Sequence, residues 1–136
     1  MKELLHKKIV KIELGSMEYG ENILLVFTCD DGEKIAYEAF GDCCSTSWFS
    51  HIAGVKNLLG HEITKIIERE ERPPTKPEDA EGDYEVLAIY GYVLTNWNGA
   101  CYIEFRNDSN GYYGGSCEVV TLVPPDATFK EVTEDF

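Results

Sequence analysis

Arg106 is one of only two basic residues between position 77 and the end of the chain, the other being Lys130, against twelve acidic ones. A guanidinium offers a planar fork of donors that grips a phosphate or carboxylate bidentately. It opens the stretch Arg106-Asn107-Asp108-Ser109-Asn110-Gly111-Tyr112-Tyr113-Gly114-Gly115. A second unusual stretch is Gly41-Asp42-Cys43-Cys44-Ser45-Thr46-Ser47-Trp48. Both mix short polar side chains and glycine, which expose backbone N–H groups, with aromatic rings able to stack on a flat ligand. Arg106, Asn107, Asn110, Tyr112 and Tyr113, with Asp42, Cys43, Cys44, Ser45 and Trp48, therefore form a candidate ligand-binding set. The competing reading pairs Arg106 with an acid such as Glu104 or Asp42 and spends Asn107, Asp108 and Asn110 on a tight turn. Neighbouring residues in extended chain point opposite ways, so one of Tyr112 and Tyr113 is expected in the core.

Cys43 or Cys44 with His51 raises a different chemistry, since a thiolate nucleophile needs an imidazole or a helix N-terminus to lower its pKa. Ser45-Thr46-Ser47 has the composition of a helix cap, which would start a short helix near Trp48 and place Cys44 just before it. On a helix, His51 would then lie about two turns from Cys44, too far for contact unless the chain bends. The vicinal cysteines are left open as structural, reactive or metal-binding. A structural zinc site needs ligand pairs two to four residues apart, and only adjacent Cys43 and Cys44, with His51 and His61 downstream, come near that pattern, so no metal is assigned. Cys29, Cys101 and Cys117 read as core residues. No Walker loop, dinucleotide GxGxxG or HExxH is present, and the carboxylates scatter without distinctive context, so neither a catalytic residue nor a cofactor is assigned.

These residues sit in a chain of 136, long enough for one domain with a single core. The formal charge of −13 disfavours direct binding to nucleic acid or an anionic membrane. The first residues carry no apolar signal segment, and the longest apolar run, Ile23 to Phe27, is far too short to cross a bilayer. A cytoplasmic protein with reduced cysteines is expected.

Strand patterns dominate the elements that must position the candidates. Asp31-Gly32 and Asn98-Gly99 each lie between β-rich runs, the composition of type I′ hairpin turns, which need positive φ at both central positions. Val55 to Leu59 reads as a helical turn stopped by Gly60, and His61 to Glu68 and Gly115 to Val123 read as further strands. Residues 70–83, with Pro73, Pro74 and Pro77 among acids, are expected to form an exposed loop, and residues 126–136 a loosely held acidic tail. Trp48 and Phe49 are expected to plug the core, and Trp97 to pack across its hairpin. Leu4-Leu5-His6-Lys7-Lys8-Ile9-Val10-Lys11-Ile12 aligns without gaps on Leu58-Leu59-Gly60-His61-Glu62-Ile63-Thr64-Lys65-Ile66, and each copy is followed by a hairpin. That weak internal repeat would put the loops leaving the two hairpins in equivalent places. The fold class is α+β: mainly an antiparallel sheet of about six strands with one short central helical segment, its edges leaving a homodimer plausible.

Gly-Asp-Cys-Cys-Ser-Thr-Ser-Trp-Phe (41–49) and the stretch from Arg106 to Gly115 resemble the hallmark motifs of an uncharacterised family of small phage and prophage proteins. The resemblance spans roughly residues 20–123, leaving the proline-rich insertion and the tail outside it. It implies a protein acting in the host cytoplasm, by occupying a host protein or soaking up a small signal, and it transfers no activity to individual residues. Three functions follow as expectations. The first is a binding module for a nucleotide-like small molecule, sequestering a host immune signal as an anti-defence protein. The second is an acidic inhibitor or nucleic-acid mimic that occupies a host enzyme. The third is a cysteine-dependent hydrolase or transferase.

Overall fold

The computed structural model describes residues 1–17, 20–41, 45–73, 86–109 and 114–136. Among the described residues, runs rich in β-branched and aromatic residues form nine strands: β1 (Ile9–Ser16), β2 (Asn22–Cys29), β3 (Lys34–Gly41), β4 (Thr46–Ala53), β5 (Lys65–Arg72), β6 (Val86–Asn96), β7 (Gly99–Ser109), β8 (Gly115–Val120) and β9 (Thr128–Glu131). A 3-10 turn at Lys2–Leu4 precedes β1, and the one short helix, α1 (Val55–Leu58), precedes β5. The strands make two antiparallel sheets, ordered β8-β3-β2-β1-β9 and β4-β7-β6-β5. The expectation of about six strands in one sheet is thereby corrected to nine in two. Inward residues of both sheets, including Ile12, Phe27 and Tyr37 against Phe49, Ile103 and Phe105, form a continuous core.

The sequence repeat is a structural one. Leu4 and Leu58 are buried at the ends of their helical turns, and Leu5 (φ −61, ψ 131) and Leu59 (φ −63, ψ 128) leave them with the same backbone geometry. The next residues, His6 and Gly60, both take positive φ, 66° and 82°. The His6 N–H donates to the Ile63 carbonyl at 2.8 Å, and the Gly60 N–H donates to the Ile9 carbonyl at 2.7 Å. Equivalent positions thus bond reciprocally, and equivalent Lys8 and Glu62 pair with each other. That reciprocity is the mark of an approximate internal two-fold axis. Each half contributes a helical turn, a strand and a hairpin to one sheet and sends its fourth strand to the other: β4 lies beside β7, and β8 beside β3.

Three local expectations change. Thr46–Ala53 is a strand, not a helix beginning near Trp48, because its β-prone Trp, Phe and Ile find a ladder along β7 that outweighs the capping signal of Ser45-Thr46-Ser47. Both hairpin turns also differ from the expected form. The first is a three-residue loop closed by Cys29 and Glu33, with Gly32 at φ 89°, and the second turns at Trp97 and Asn98, with Gly99 at φ 145°. Finally, the C-terminal residues are held. β9 pairs with β1, Val132 enters the core, the Asp135 carboxylate accepts the Val55 N–H at 2.9 Å, and Phe136 exchanges two backbone bonds with Ile52. An edge strand with unpaired backbone groups supplies more binding than the charge of the segment removes. Of the expected acidic loop, residues 70–72 belong to β5, and residues 74–83 lie outside the described residues.

Residues 121–127 connect β8 to β9, the two opposite edges of the five-stranded sheet. Strand alternation directs Leu24, Val26 and Ala36 away from the core, yet all three are buried, and the Phe129 ring of β9 lies beside Leu24 over Gly15.

Candidate functional site

The outer face of the four-stranded sheet is built differently. Along β7, Cys101, Ile103 and Phe105 enter the core, so alternation directs Tyr102, Glu104 and Arg106 outward. Register then fixes two neighbouring cross-strand rows: Arg69, Gly91, Glu104 and His51 in one, and Arg72, Ile89, Arg106 and Trp48 in the other. Two β-bulges are needed to assemble them. Phe49 and His51 are two residues apart on β4 but face consecutive residues of β7, so the bulge sends Phe49 inward and His51 outward. Arg69 and Arg72 are three apart on β5 but face residues two apart on β6, so a second bulge brings both to the same face. As a result, all three arginines of the chain share one sheet face.

Glu104 is the hub of this face and is only 4% exposed. Its Oε2 accepts the Ser50 hydroxyl at 2.6 Å and the Arg106 Nε–H at 2.9 Å, and lies 2.8 Å from His51 Nδ1. Its Oε1 accepts the Tyr102 hydroxyl at 3.2 Å and faces Arg72 Nη2 at 3.7 Å. Burial pushes the Glu104 carboxyl up, but the Ser50 and Arg106 hydrogen bonds, the Arg106 charge and the His51 contact together hold it below the usual carboxylate range. Burial and then the Glu104 charge raise the Tyr102 phenol, keeping it protonated as a donor. Gly91 makes room for this ring: a Cβ there would lie 2.5 Å from Tyr102 Cε2.

An ionised carboxylate only accepts, so the His51 nitrogen facing it carries a proton, and the ring itself is half-exposed. The hydroxyls nearest the ring, Ser50 and Tyr102, are spent on Glu104. Beside this cluster lies a hollow of about 600 Å³, floored by Ile89 and Gly91 and walled by Arg69, Arg72 and Tyr102, with Glu68 and Glu70 also at its lining. Arg69 is exposed and has no ion-pair or hydrogen-bond partner among the described residues. The face can therefore hold an anion and stack a flat ring.

The residues singled out in the sequence separate on this scaffold. Arg106 takes the structural pairing with Glu104 and shares its row with half-buried Trp48, so Trp48 does not plug the core as Phe49 does. Asn107 points the opposite way, 1% exposed, and donates from Nδ2 to Ser47 Oγ at 2.9 Å, while Ser47 Oγ donates to the Phe40 carbonyl at 2.8 Å. Arg106 and Asn107 thus do not act on one ligand from one face. Ser45 is half-buried, its Oγ packed against Gly41. Asp42, Cys43, Cys44, Asn110, Tyr112 and Tyr113 lie outside the described residues. His51 sits on a strand, which carries it roughly 15 Å from Thr46. Cys29 and Cys101 are buried and Cys117 half-buried, with burial first among the causes that push the last two thiols up to about 12. Exposed Trp97 meets His61 edge-on at 5.1 Å. Sequence reasoning passed over Arg69, Arg72 and Tyr102. The alternation Tyr102-x-Glu104-x-Arg106 was the signal available, whereas the bulges that align Arg69, Arg72 and His51 leave none.

The chain has a viral relative. It is 29% identical over 118 residues to "Uncharacterized protein L278" of Acanthamoeba polyphaga mimivirus, covering 81% of this chain and 88% of that protein. No solved structure matches the chain. Among the described residues, no helix is long and apolar enough to cross a membrane. A family model described as a domain of unknown function, DUF7448, matches residues 2–119, and the chain belongs to that family.

Proposed function

We propose that the protein binds a small, anionic, ring-bearing ligand of nucleotide type on the outer face of its four-stranded sheet. The observation that carries this reading is the pair of bulges that re-aim His51 and the Arg69/Arg72 pair onto the face of Arg106, in a chain of net charge −13. Evolution of a merely solvated face needs no such devices, and bulges concentrate where a side chain must be re-aimed. On this reading Glu104 does not touch the ligand. It is saturated by its neighbours and fixes them, so that Arg69 and Arg72 meet the phosphate or carboxylate, His51 offers its second ring nitrogen, and Tyr102 or Trp48 lies along the ring. Given a giant-virus relative and the phage-like motifs, the function would be to sequester a host signal in the cytoplasm, with binding and no turnover.

Thermal unfolding against a panel of mono-, di- and cyclic nucleotides, NAD and ADP-ribose tests the proposal. One ligand is expected to raise Tm in proportion to the logarithm of its concentration by mass action. Arg69→Ala is expected to remove that shift while leaving the unliganded Tm unchanged, since Arg69 is exposed. A panel with no shift, or an equal shift in the variant, ends the reading.

A further inference from the structure

The internal two-fold leaves one position filled in the first half and open in the second. In the first half, the outer edge of β1 is covered by β9, and the chain then closes the gap to β4 through Val132 and Phe136. The Val132 N–H donates to the Ile12 carbonyl at 2.8 Å, and Ile12 is fully buried. In the second half, β5 is an edge strand that has no partner besides β6 among the described residues. Its Ile66 occupies the repeat position of Ile12 but is only half-buried. It opens instead into a groove of about 440 Å³ between β5, β6 and β8, lined by Tyr37, Tyr92, Cys117 and Val119. Val119 is 47% and Leu5, at the same groove, 39% exposed.

We propose that this groove and the β5 edge form a second site, which takes an extended, basic peptide segment of a protein partner by strand addition. The chain's own residues 128–136 show what fits such a place: an antiparallel strand with one aliphatic side chain seated between the sheets. The charge of the occupant follows from the lining, where Glu3, Glu68 and Glu118 outnumber Lys2, and from the −13 charge of the whole chain, which steers a cationic partner inward. A second copy of this chain, equally acidic, fits the groove less well. Lysine or arginine alternating with valine or isoleucine satisfies both requirements, the aliphatic residues meeting Ile66, Tyr92 and Val119 while the cations meet the carboxylates. The groove opens on the inner face of β5, whereas Arg69 and Arg72 project from its outer face, and Glu68 lines both hollows; the two readings share a strand but rest on different observations.

The probe is a fluorescein-labelled peptide of eight residues, the length of β5, alternating lysine and valine, with the matching glutamate and valine peptide as control. Anisotropy is expected to show saturable binding of the basic peptide to the full chain and markedly weaker binding of the acidic one. Val119→Lys, at a position exposed enough to leave the fold intact by circular dichroism, is expected to weaken the basic peptide about tenfold or more, the cost of one misplaced charge. Hydrogen exchange is expected to slow at the amides of residues 65–72 when the peptide is bound. The proposal is overturned if those amides are already as slow in the free protein as those of β6, since the edge would then be occupied by the chain itself or a second copy. It is equally overturned if the peptide binds without slowing them, or binds Val119→Lys undiminished.

Discussion

The outer faces of the two sheets occupy equivalent places in the internal repeat, and each has a buried centre of opposite chemistry. On the five-stranded sheet the apolar Leu24 is 0% exposed and Val26 and Ala36 5%. On the four-stranded sheet Glu104 is 4% and Arg106 7% exposed, and the charges are held by one another. Apolar burial stabilises in proportion to area and tolerates small errors of position. A buried charge cluster is stable only while each member is satisfied, and an apolar replacement of the whole is often as good or better. The difference teaches that the first face serves the fold, whereas the second carries a cluster that stability alone would not require.

Four experiments would break or sharpen this contrast. The largest effect is expected for Glu104→Ala, which leaves Arg106 buried without its carboxylate and should cost about 3–5 kcal/mol in urea unfolding. The double variant Glu104→Leu with Arg106→Met should recover most of that loss, and a double variant as unstable as the single one would make the cluster a stability device after all. Next, Leu24→Ala should cost about 2–4 kcal/mol by removing buried methyl groups, with no effect on the ligand-induced Tm shift. A smaller effect is expected in acid. Because the folded Glu104 carboxyl is held below its unfolded value of about 4.3, its contribution is fully present above that value and is lost as pH falls through the lower folded one. Tm should therefore fall more steeply between about pH 5 and pH 2 in the unaltered protein than in Glu104→Gln, whereas Leu24→Ala should run parallel to the unaltered protein. The smallest is Arg69→Ala, within about 0.5 kcal/mol of the unaltered stability, as for other exposed positions.

Much of the framework was legible along the chain because it rests on local chemistry. Glycines at 32 and 99 mark the two hairpins, Gly60 stops α1, and the aligned Leu-Leu-x-x-x-Ile segments mark the two halves. The pairing of Arg106 with Glu104 was available as an alternative, since alternation already places them on one face. The errors share a cause. Ser45-Thr46-Ser47 read as a helix cap and residues 126–136 read as a tail, because in both places a distant strand edge supplies the hydrogen bonds and no local pattern announces it.

By itself, the amino-acid sequence determined the turns, the β-rich class, the acidic charge and the duplicated plan, all properties of residues close together in the chain. Only the tertiary structure decided that the fourth strands change sheets, that two bulges rephase β4 and β5, and that Arg69, Arg72, Arg106 and His51 meet on one face around Glu104. Those outcomes depend on register between strands far apart in the chain, with Thr46 opposite Asp108 and Ala36 opposite Val120, where a one-residue slip turns every side chain to the opposite face.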